Sequence, residues 1–363
     1  MKKRSKNSLA DRGPYTALVL FGVLILCANA TGQTIVRDPD FVRAIKELRA
    51  GKIESSLDQI DAVIARHPSD PQDLVAYLNI TDTLIRFGES ERALRYATIG
   101  RRLGSDSVDA QVMYGWALFS LRKIPAAEKV YRDCLERFPK AAGPRYQLGH
   151  VLGHLRKLHE SIDFFEQAIG LEPSSSLYKF SLAEAYSHVQ RRGDALKLFD
   201  EVLKLTEGKQ EAGEKFNRQR AFWNRGNLLG IKAIRLERSR DSKERDQAAA
   251  LHKEAEKSYV QSIEMSPRDA DARIEFCKYL IKNKRLEEAI QQANIVIRVA
   301  PKNRWGYYQL GVALSRSGRS DESKAAMEKF RELQAVWEKL EFENLLNKIT
   351  GEAYVRKRGG NGK

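Results

Sequence analysis

Apolar residues recur along the chain at the spacing of an α-helix. Leu148, Val151, Leu152 and Leu155 follow the i, i+3, i+4, i+7 pattern that places side chains on one buried helix face. No stretch alternates apolar and polar residues for long enough to predict a β-strand. The pattern therefore predicts an all-α protein.

Prolines mark a period in this helical pattern. Pro139 and Pro173 lie 34 residues apart, and Pro267 and Pro301 have the same separation. Proline ends a helix because it has no backbone N–H and because it restricts the residue before it. Each of these prolines is predicted to follow the second helix of a repeating pair.

Small residues and one aromatic residue recur at fixed positions within the period. Two successive units share this spacing: Gly115, Ala127, Tyr131, Pro139, and Gly149, Ser161, Phe165, Pro173. A glycine allows two helix axes to approach closely, and a ring one turn beyond the small residue fills the next gap. The spacing therefore predicts two packed helices in each unit.

The pattern resembles the tetratricopeptide repeat, a helix–turn–helix unit of 34 residues. The resemblance implies a right-handed superhelical solenoid. Counting the period gives about eight repeats over residues 37–337, with insertions near 208–216 and 234–253. A capping helix is expected at 338–350, because end repeats must cover their last apolar face, and a disordered basic tail at 351–363.

The insertion at 234–253 has a highly charged composition. This composition is typical of a helix extension or of a solvated loop that protrudes from the repeat array. It is either a tolerated insertion or a dedicated docking element.

The N-terminus has the three parts of a secretory signal peptide. A basic stretch precedes the apolar residues 17–27, and Ala-Asn-Ala follows at 28–30. About 11 apolar residues are fewer than the ~20 that span a membrane. We expect cleavage after Ala30 and export to a periplasm or outside the cell. The alternative is an uncleaved N-terminal anchor, which would then be the only membrane contact.

Composition and charge narrow the class of protein. The 363 residues exceed the length of a typical single-core domain, whereas a repeat array can grow in one dimension. Without residues 1–30, the chain has 58 basic and 47 acidic residues, a net charge of +11. Such a modest bias is not typical of nucleic-acid binding. The pI of 9.6 nevertheless leaves one alternative open, a solenoid that binds nucleic acid or another polyanion through its basic surface.

Catalytic motifs are absent from the sequence. It contains no glycine-rich phosphate loop, no G-x-S-x-G and no HExxH. His150 and His154 have a metal-compatible i, i+4 spacing, and Glu184 or His188 on the next repeat could add a ligand. Since no acidic residue accompanies the pair in the sequence, we expect neither a metal nor a cofactor. A helical enzyme built around these four residues is a lesser alternative.

The resemblance to the tetratricopeptide family implies that the first helices of successive repeats line a concave groove. Residues three before the glycine site and one, four and five after it would face that groove. The candidate groove residues are Trp116, Phe119, Tyr146, His150, His154, Phe180, Glu184, His188, Trp223, Asn227, Tyr308 and Arg316.

Trp116, Tyr146 and Phe180 are the predicted anchors for a ligand in this groove, although several of the aromatic rings could instead pack between repeats. The sequence thus predicts a non-catalytic, exported scaffold or adaptor. It would bind a protein or peptide segment in the groove, and we do not expect a nucleic-acid partner.

Overall fold

The computed structural model describes residues 35, 38–66 and 74–359, with side chains described as far as residue 339. The predicted signal peptide, residues 1–30, lies outside this part of the chain. The described residues form sixteen α-helices and no strand. They divide into two compact units, the first ending at Asn217 and the second beginning at Arg218.

Ten helices precede residue 212. They are α1 (Pro39–Arg49), α2 (Ile53–Arg66), α3 (Leu74–Arg86), α4 (Ser90–Leu103), α5 (Val108–Ser120), α6 (Ile124–Arg137), α7 (Ala142–His154), α8 (Leu158–Leu171), α9 (Ser176–His188) and α10 (Arg192–Leu205). Six helices follow, namely α11 (Ala212–Glu237), α12 (Ser242–Met265), α13 (Ala270–Lys282), α14 (Leu286–Val299), α15 (Arg304–Arg316) and α16 (Ser320–Gly359).

Consecutive helices form eight helical hairpins, α1 with α2 through α15 with α16. In each hairpin an odd-numbered first helix precedes an even-numbered second helix. This arrangement confirms the prediction of an all-α stack of helix–turn–helix repeats. Short side chains cap several of the helices; for example, the hydroxyl of Ser175 accepts the backbone N–H of Tyr178 at the start of α9.

The glycine and aromatic residues of the repeat meet at the crossing of the two helices. A Cβ atom at Gly149 would lie 2.7 Å from Cε1 of Phe165, and one at Gly115 would lie 2.5 Å from Cε1 of Tyr131. The hydroxyl of Ser161 also donates to the carbonyl oxygen of Gly149 at 2.7 Å. The sequence pattern therefore corresponds to direct contact between the helices of one hairpin.

Replacement of Gly149 by alanine is expected to lower the free energy of unfolding by about 1–3 kcal/mol. The new methyl group would collide with Phe165, which is only 3% exposed and has little room to move. Gly170 in α8 is the matched control, because nothing lies within 4 Å of a Cβ atom there. Gly170→Ala should leave stability unchanged or raise it slightly through helix propensity. Urea unfolding followed by circular dichroism measures both variants, and equal effects would contradict this packing.

The charged insertion at 234–253 is largely helical. It contains the end of α11, the connecting residues 238–241 and the beginning of α12. His252 joins this extension to its surroundings: Nε2 lies 3.0 Å from Oε1 of Glu237, and Nδ1 lies 2.8 Å from the hydroxyl of Tyr279 in α13. The segment at 208–216 is divided between a connection and the first turn of α11.

The end of the described chain is a single long helix. Residues 338–350 form part of α16 and not a separate capping helix, and α16 continues to Gly359 through most of the segment that was predicted to be disordered. The sequence contains no proline or glycine from residue 320 to residue 350, so no residue there interrupts the helical backbone.

Candidate functional site

The first helices of neighbouring hairpins pack against each other. In the first unit, α1 contacts α3, α3 contacts α5 and α5 contacts α7, and in the second unit α13 contacts α15. The second helices pack mainly against the first helices that precede and follow them. The first helices are thus the more closely spaced layer of each unit. Their solvent-facing positions are called the inner face below.

Three of the predicted groove aromatics are core residues. Trp116, Tyr146 and Phe180 are 6%, 3% and 1% exposed. The ring of Tyr146 stacks on Tyr178 with centroids 4.7 Å apart, and the ring of Phe180 meets Phe199 edge-on at 5.7 Å. These rings turn into the space between helices and stabilise the stack, so the prediction that they anchor a ligand is corrected.

His150 is also part of the packing between helices. Its ring centroid lies 4.6 Å from that of Tyr146 and 5.0 Å from that of Phe165, and Nε2 is 3.4 Å from Oγ of Ser181. Burial among these groups lowers the pKa of His150 to about 3. The imidazole is therefore neutral at ordinary pH.

The remaining predicted residues of the first unit form an inner row. Phe119, His154 and Glu184 are partly exposed and His188 is exposed. Phe119 meets the ring of His154 edge-on at 5.5 Å, and Nη1 of Arg122 lies 3.1 Å from Nε2 of that histidine. Burial, followed by the charge of Arg122, lowers the pKa of His154. Neutral Nε2 can then accept the guanidinium hydrogen bond.

The histidines do not share a metal-like arrangement. Nε2 of His150 faces Ser181, whereas Nε2 of His154 faces Arg122. Across the described ranges, no three or more His, Cys, Asp or Glu side chains are grouped so that they could hold a metal ion. A search of the same residues finds no helix with the length and apolar character needed to cross a membrane.

In the second unit, Trp223 and Asn227 are partly exposed residues of α11. The amide oxygen of Asn227 accepts the hydroxyl of Tyr259 at 2.5 Å, and its Nδ2 lies 3.4 Å from Oε2 of Glu275. The guanidinium of Arg220 lies over the indole of Trp223 at 5.9 Å. Hydrogen bonds within the chain therefore already hold Asn227, and the indole of Trp223 lies beside a guanidinium group.

Tyr308 and Arg316 belong to the last hairpin. Tyr308 lies in an aromatic cluster, 5.8 Å from Trp305 and 5.3 Å from Phe330 between ring centroids. Trp305 is 45% exposed, and Arg316 is exposed with Nη1 3.4 Å from the carbonyl oxygen of Ile281. The structure thus separates the candidate residues into an inner row in the first unit and an aromatic cluster in the second.

The sequence prediction did not include the turns that join first to second helices. These turns place a residue in the left-handed region, which favours glycine, yet four of the residues there have side chains. They are Arg122 (φ 63), Arg156 (φ 63), Gln190 (φ 65) and Lys284 (φ 60), whereas Gly51, Gly88 and Gly318 occupy the same turn elsewhere. The sequence feature that could have revealed these turns is the 34-residue spacing of positions 88, 122, 156 and 190.

Models of the tetratricopeptide repeat match three parts of the chain, residues 78–142, 142–175 and 306–335. A comparison with curated proteins finds no match. Among solved structures, the Cut9–Hcn1 hetero-tetramer of APC/C is similar at a TM-score of 0.56 and 15% sequence identity. That alignment covers 74% of this chain and 48% of the other chain.

Two smaller solved structures superpose on this chain with lower TM-scores. PilF of Pseudomonas aeruginosa has a TM-score of 0.47 and 14% identity, with coverage of 62% of this chain and 96% of PilF. YrrB, described as a tetratricopeptide repeat protein with an unusual peptide-binding site, has a TM-score of 0.38 and 18% identity. The alignment with YrrB covers 56% of this chain and 92% of that one.

The stacked hairpins and their packed first helices define a helical-repeat protein. The family models match three segments of this stack, so residues 78–175 and 306–335 are tetratricopeptide repeats. The family supports a role as a scaffold for protein interactions, and all-helical proteins built from these repeats are typically non-catalytic.

Proposed function

We propose that the chain is an adaptor that binds a segment of another protein along the inner face of its first unit. The inner row of Phe119, His154, Glu184 and His188 supports this proposal most directly. It places an aromatic ring, two imidazoles and a carboxylate on three successive first helices, and Glu184 and His188 also have contacts within the chain. Such a mixture suits the side chains and backbone of a peptide.

Contact with several hairpins would supply the affinity without one deep cavity. A specific protein interface buries about 1,200–2,000 Å² in total, which an extended segment reaches only by crossing several repeats. The partner is therefore expected to be a protein or peptide segment. The buried positions of Trp116, Tyr146 and Phe180 give the inner face a rigid support.

Selection from an unbiased peptide-display library, with the full chain as bait, tests the proposal. We expect enrichment of related sequences whose binding to the chain weakens in Phe119→Ala and His188→Ala variants. Lys197→Ala, an exposed change on the second helix α10, is the matched control and should bind as the unchanged chain does. Circular dichroism verifies that each variant is folded.

Failure to select any peptide family would contradict the proposal. So would a selected peptide that loses affinity for Lys197→Ala but binds both inner-row variants at full strength. Either result would move the interaction away from the inner face of the first unit.

Export forms part of the same proposal and rests on the N-terminal sequence pattern alone. The basic stretch, the apolar residues 17–27 and the Ala-Asn-Ala at 28–30 support an adaptor that acts in a periplasm or outside the cell. The mass of the chain isolated from its natural source measures this directly. A chain that begins after Ala30 fits export, whereas an intact N-terminus in a cytosolic fraction contradicts it.

A further inference from the structure

The last hairpin pairs a short first helix with a much longer second helix. α15 has 13 residues, whereas α16 has 40. The hydroxyl of Ser323 donates to the carbonyl oxygen of Gly311 at 2.8 Å, and the guanidinium of Arg304 lies 4.3 Å from the ring centroid of Trp337. The two helices are therefore antiparallel, and α16 reaches the first residue of α15 at Trp337. The remaining residues of α16, 338–359, are called the extension below, and at ~1.5 Å per residue they are ~33 Å long.

The extension continues beyond the helix against which α16 packs. α16 packs on α15, and no other helix of the described chain has an extensive contact with it. The sequence of the extension has an apolar pattern with the i, i+3, i+4, i+7 spacing of one helix face, formed by Phe342, Leu345, Leu346 and Ile349. Most of the stability of a helix in a protein comes from the packing of such a face. We therefore expect the extension to pack against another molecule.

Exposed apolar side chains lie where the extension leaves the hairpin. Trp305 is 45% exposed and Val336 is 57% exposed, and the ring of Trp305 lies 5.9 Å from that of Phe330 between centroids. One repeat earlier, the position of Phe330 is taken by Val296, which is fully buried because α15 covers it: a Cβ atom built at Gly306 would lie 2.7 Å from its Cγ1. No further hairpin follows α16 in the described chain. The apolar pattern of the extension thus begins beside an apolar surface that this end of the stack leaves partly open.

The charges of the extension are separated along its length. Residues 338–347 contain three acidic residues and one basic residue, whereas residues 348–358 contain four basic residues and one acidic residue. Two copies of the extension in antiparallel orientation would place each acidic half beside the basic half of the other copy. A parallel pair would place like charges side by side, which is unfavourable. The charge pattern is therefore complementary to a second, antiparallel copy of itself.

We propose that the extension of α16 pairs antiparallel with the same segment of a second copy of this chain, which gives a two-fold symmetric dimer. Each favourable contact then occurs twice, because both copies use the same surface. The extension is about three heptads long, enough for a paired amphipathic helix. In this arrangement the basic end of one copy reaches Trp305 of the other, where a cation can lie over the exposed indole. The proposal goes beyond the adaptor function, because α16 does not belong to the first unit.

Sedimentation velocity of the full chain from ~1 to ~100 µM measures the association, because a dimer forms in a concentration-dependent way. Two charge-swap variants test the pairing. The acidic swap is Glu341→Lys/Glu343→Lys, and the basic swap is Arg356→Glu/Lys357→Glu. The matched control, Glu207→Lys/Glu211→Lys, makes the same change of charge at two exposed glutamates between α10 and α11. Circular dichroism verifies that each variant is folded.

We expect the unchanged chain and the control to approach twice the 41.3 kDa mass of one chain at the highest concentration. Each charge-swap variant should dimerise at least ~10-fold more weakly, because like charges then face each other in the antiparallel pair. An equimolar mixture of the two charge-swap variants should regain the dimer, because each altered half meets opposite charges in the other chain. Restoration by mixing cannot result from misfolding of either variant.

Three results would overturn the proposal. A monomer over the whole concentration range would show that the extension does not pair with a second copy and would leave a different molecule as its partner. Charge-swap variants that dimerise as strongly as the unchanged chain would indicate a parallel pair or an interface elsewhere in the chain. Two monomeric variants whose mixture stays monomeric would show that these charges do not pair between copies. Each of these results leaves the inner face of the first unit untouched, so the dimer and the adaptor function fail separately.

Discussion

Replacement of Tyr259 by alanine is expected to lower the free energy of unfolding of the second unit by about 3–5 kcal/mol. Tyr259 is 1% exposed and stacks on Phe276 with ring centroids 5.1 Å apart. Its Cδ2 lies 3.2 Å from a Cβ atom built at Gly226, so the ring fills the crossing of α11 and α12. Its hydroxyl donates to Oδ1 of Asn227 at 2.5 Å. Alanine would leave a cavity and remove this hydrogen bond.

The Tyr259→Phe variant separates these two effects. Phenylalanine keeps the ring and removes only the donor to Asn227, so we expect a smaller loss of about 1–2 kcal/mol. Because repeat stability is transmitted mainly to neighbours, amide hydrogen exchange should accelerate first in α11, α12 and α13. An alanine variant within 1 kcal/mol of the unchanged chain would contradict the assignment of Tyr259 to the core.

Acidification is expected to destabilise the first unit through His150. Its folded-state pKa is about 3, and an unfolded histidine titrates near ~6.5. Between these values the unfolded chain binds the additional proton, so stability is lost as the pH falls from about 6.5 towards 3. The expected slope is up to about 1.4 kcal/mol per pH unit.

The His150→Gln variant tests this origin of the pH dependence. Urea unfolding at pH 7, 6, 5 and 4 should give a flatter dependence for this variant than for the unchanged chain. His159 is exposed, so His159→Gln is the matched control and should retain the full slope. If the two variants have the same dependence on pH, titration of His150 is not the cause.

The repeat architecture was readable from the sequence because its determinants are local and periodic. Pro139 and Pro173 mark the ends of α6 and α8, and the contact between Gly149 and Phe165 is the one that the spacing predicted. Small residues and rings at a helix crossing leave few alternative arrangements. The number of hairpins and the packing inside each hairpin could therefore be predicted from the sequence.

Which side chains of the inner face are exposed and which are buried could not be predicted from the sequence. Helical periodicity assigned Trp116, Tyr146 and Phe180 to the inner side of their helices, but a large ring on that side can turn into the space between neighbouring first helices. That choice depends on the separation between repeats, which no local pattern specifies. The prediction therefore chose the correct helices, but it assigned three core residues to the surface that would contact a ligand.

The strained turns were missed for a different reason. Arginine at positions 122 and 156 carries no propensity signal for a left-handed backbone, because residues with side chains rarely adopt it. Only alignment with Gly88 one period earlier, and with Gly51 and Gly318, reveals the substitution of glycine by a cationic residue. The long helical extension at α11 and α12 likewise needed the structure to distinguish helix from loop.

Hydrogen–deuterium exchange of the full chain, with and without a library-selected peptide, tests most directly whether the inner face is the binding surface. We expect slower exchange in the first helices α5, α7 and α9, where Phe119, His154 and His188 lie. Exchange in the second helices α6, α8 and α10 should change little. Protection confined to those second helices, or to residues 238–253, would contradict it.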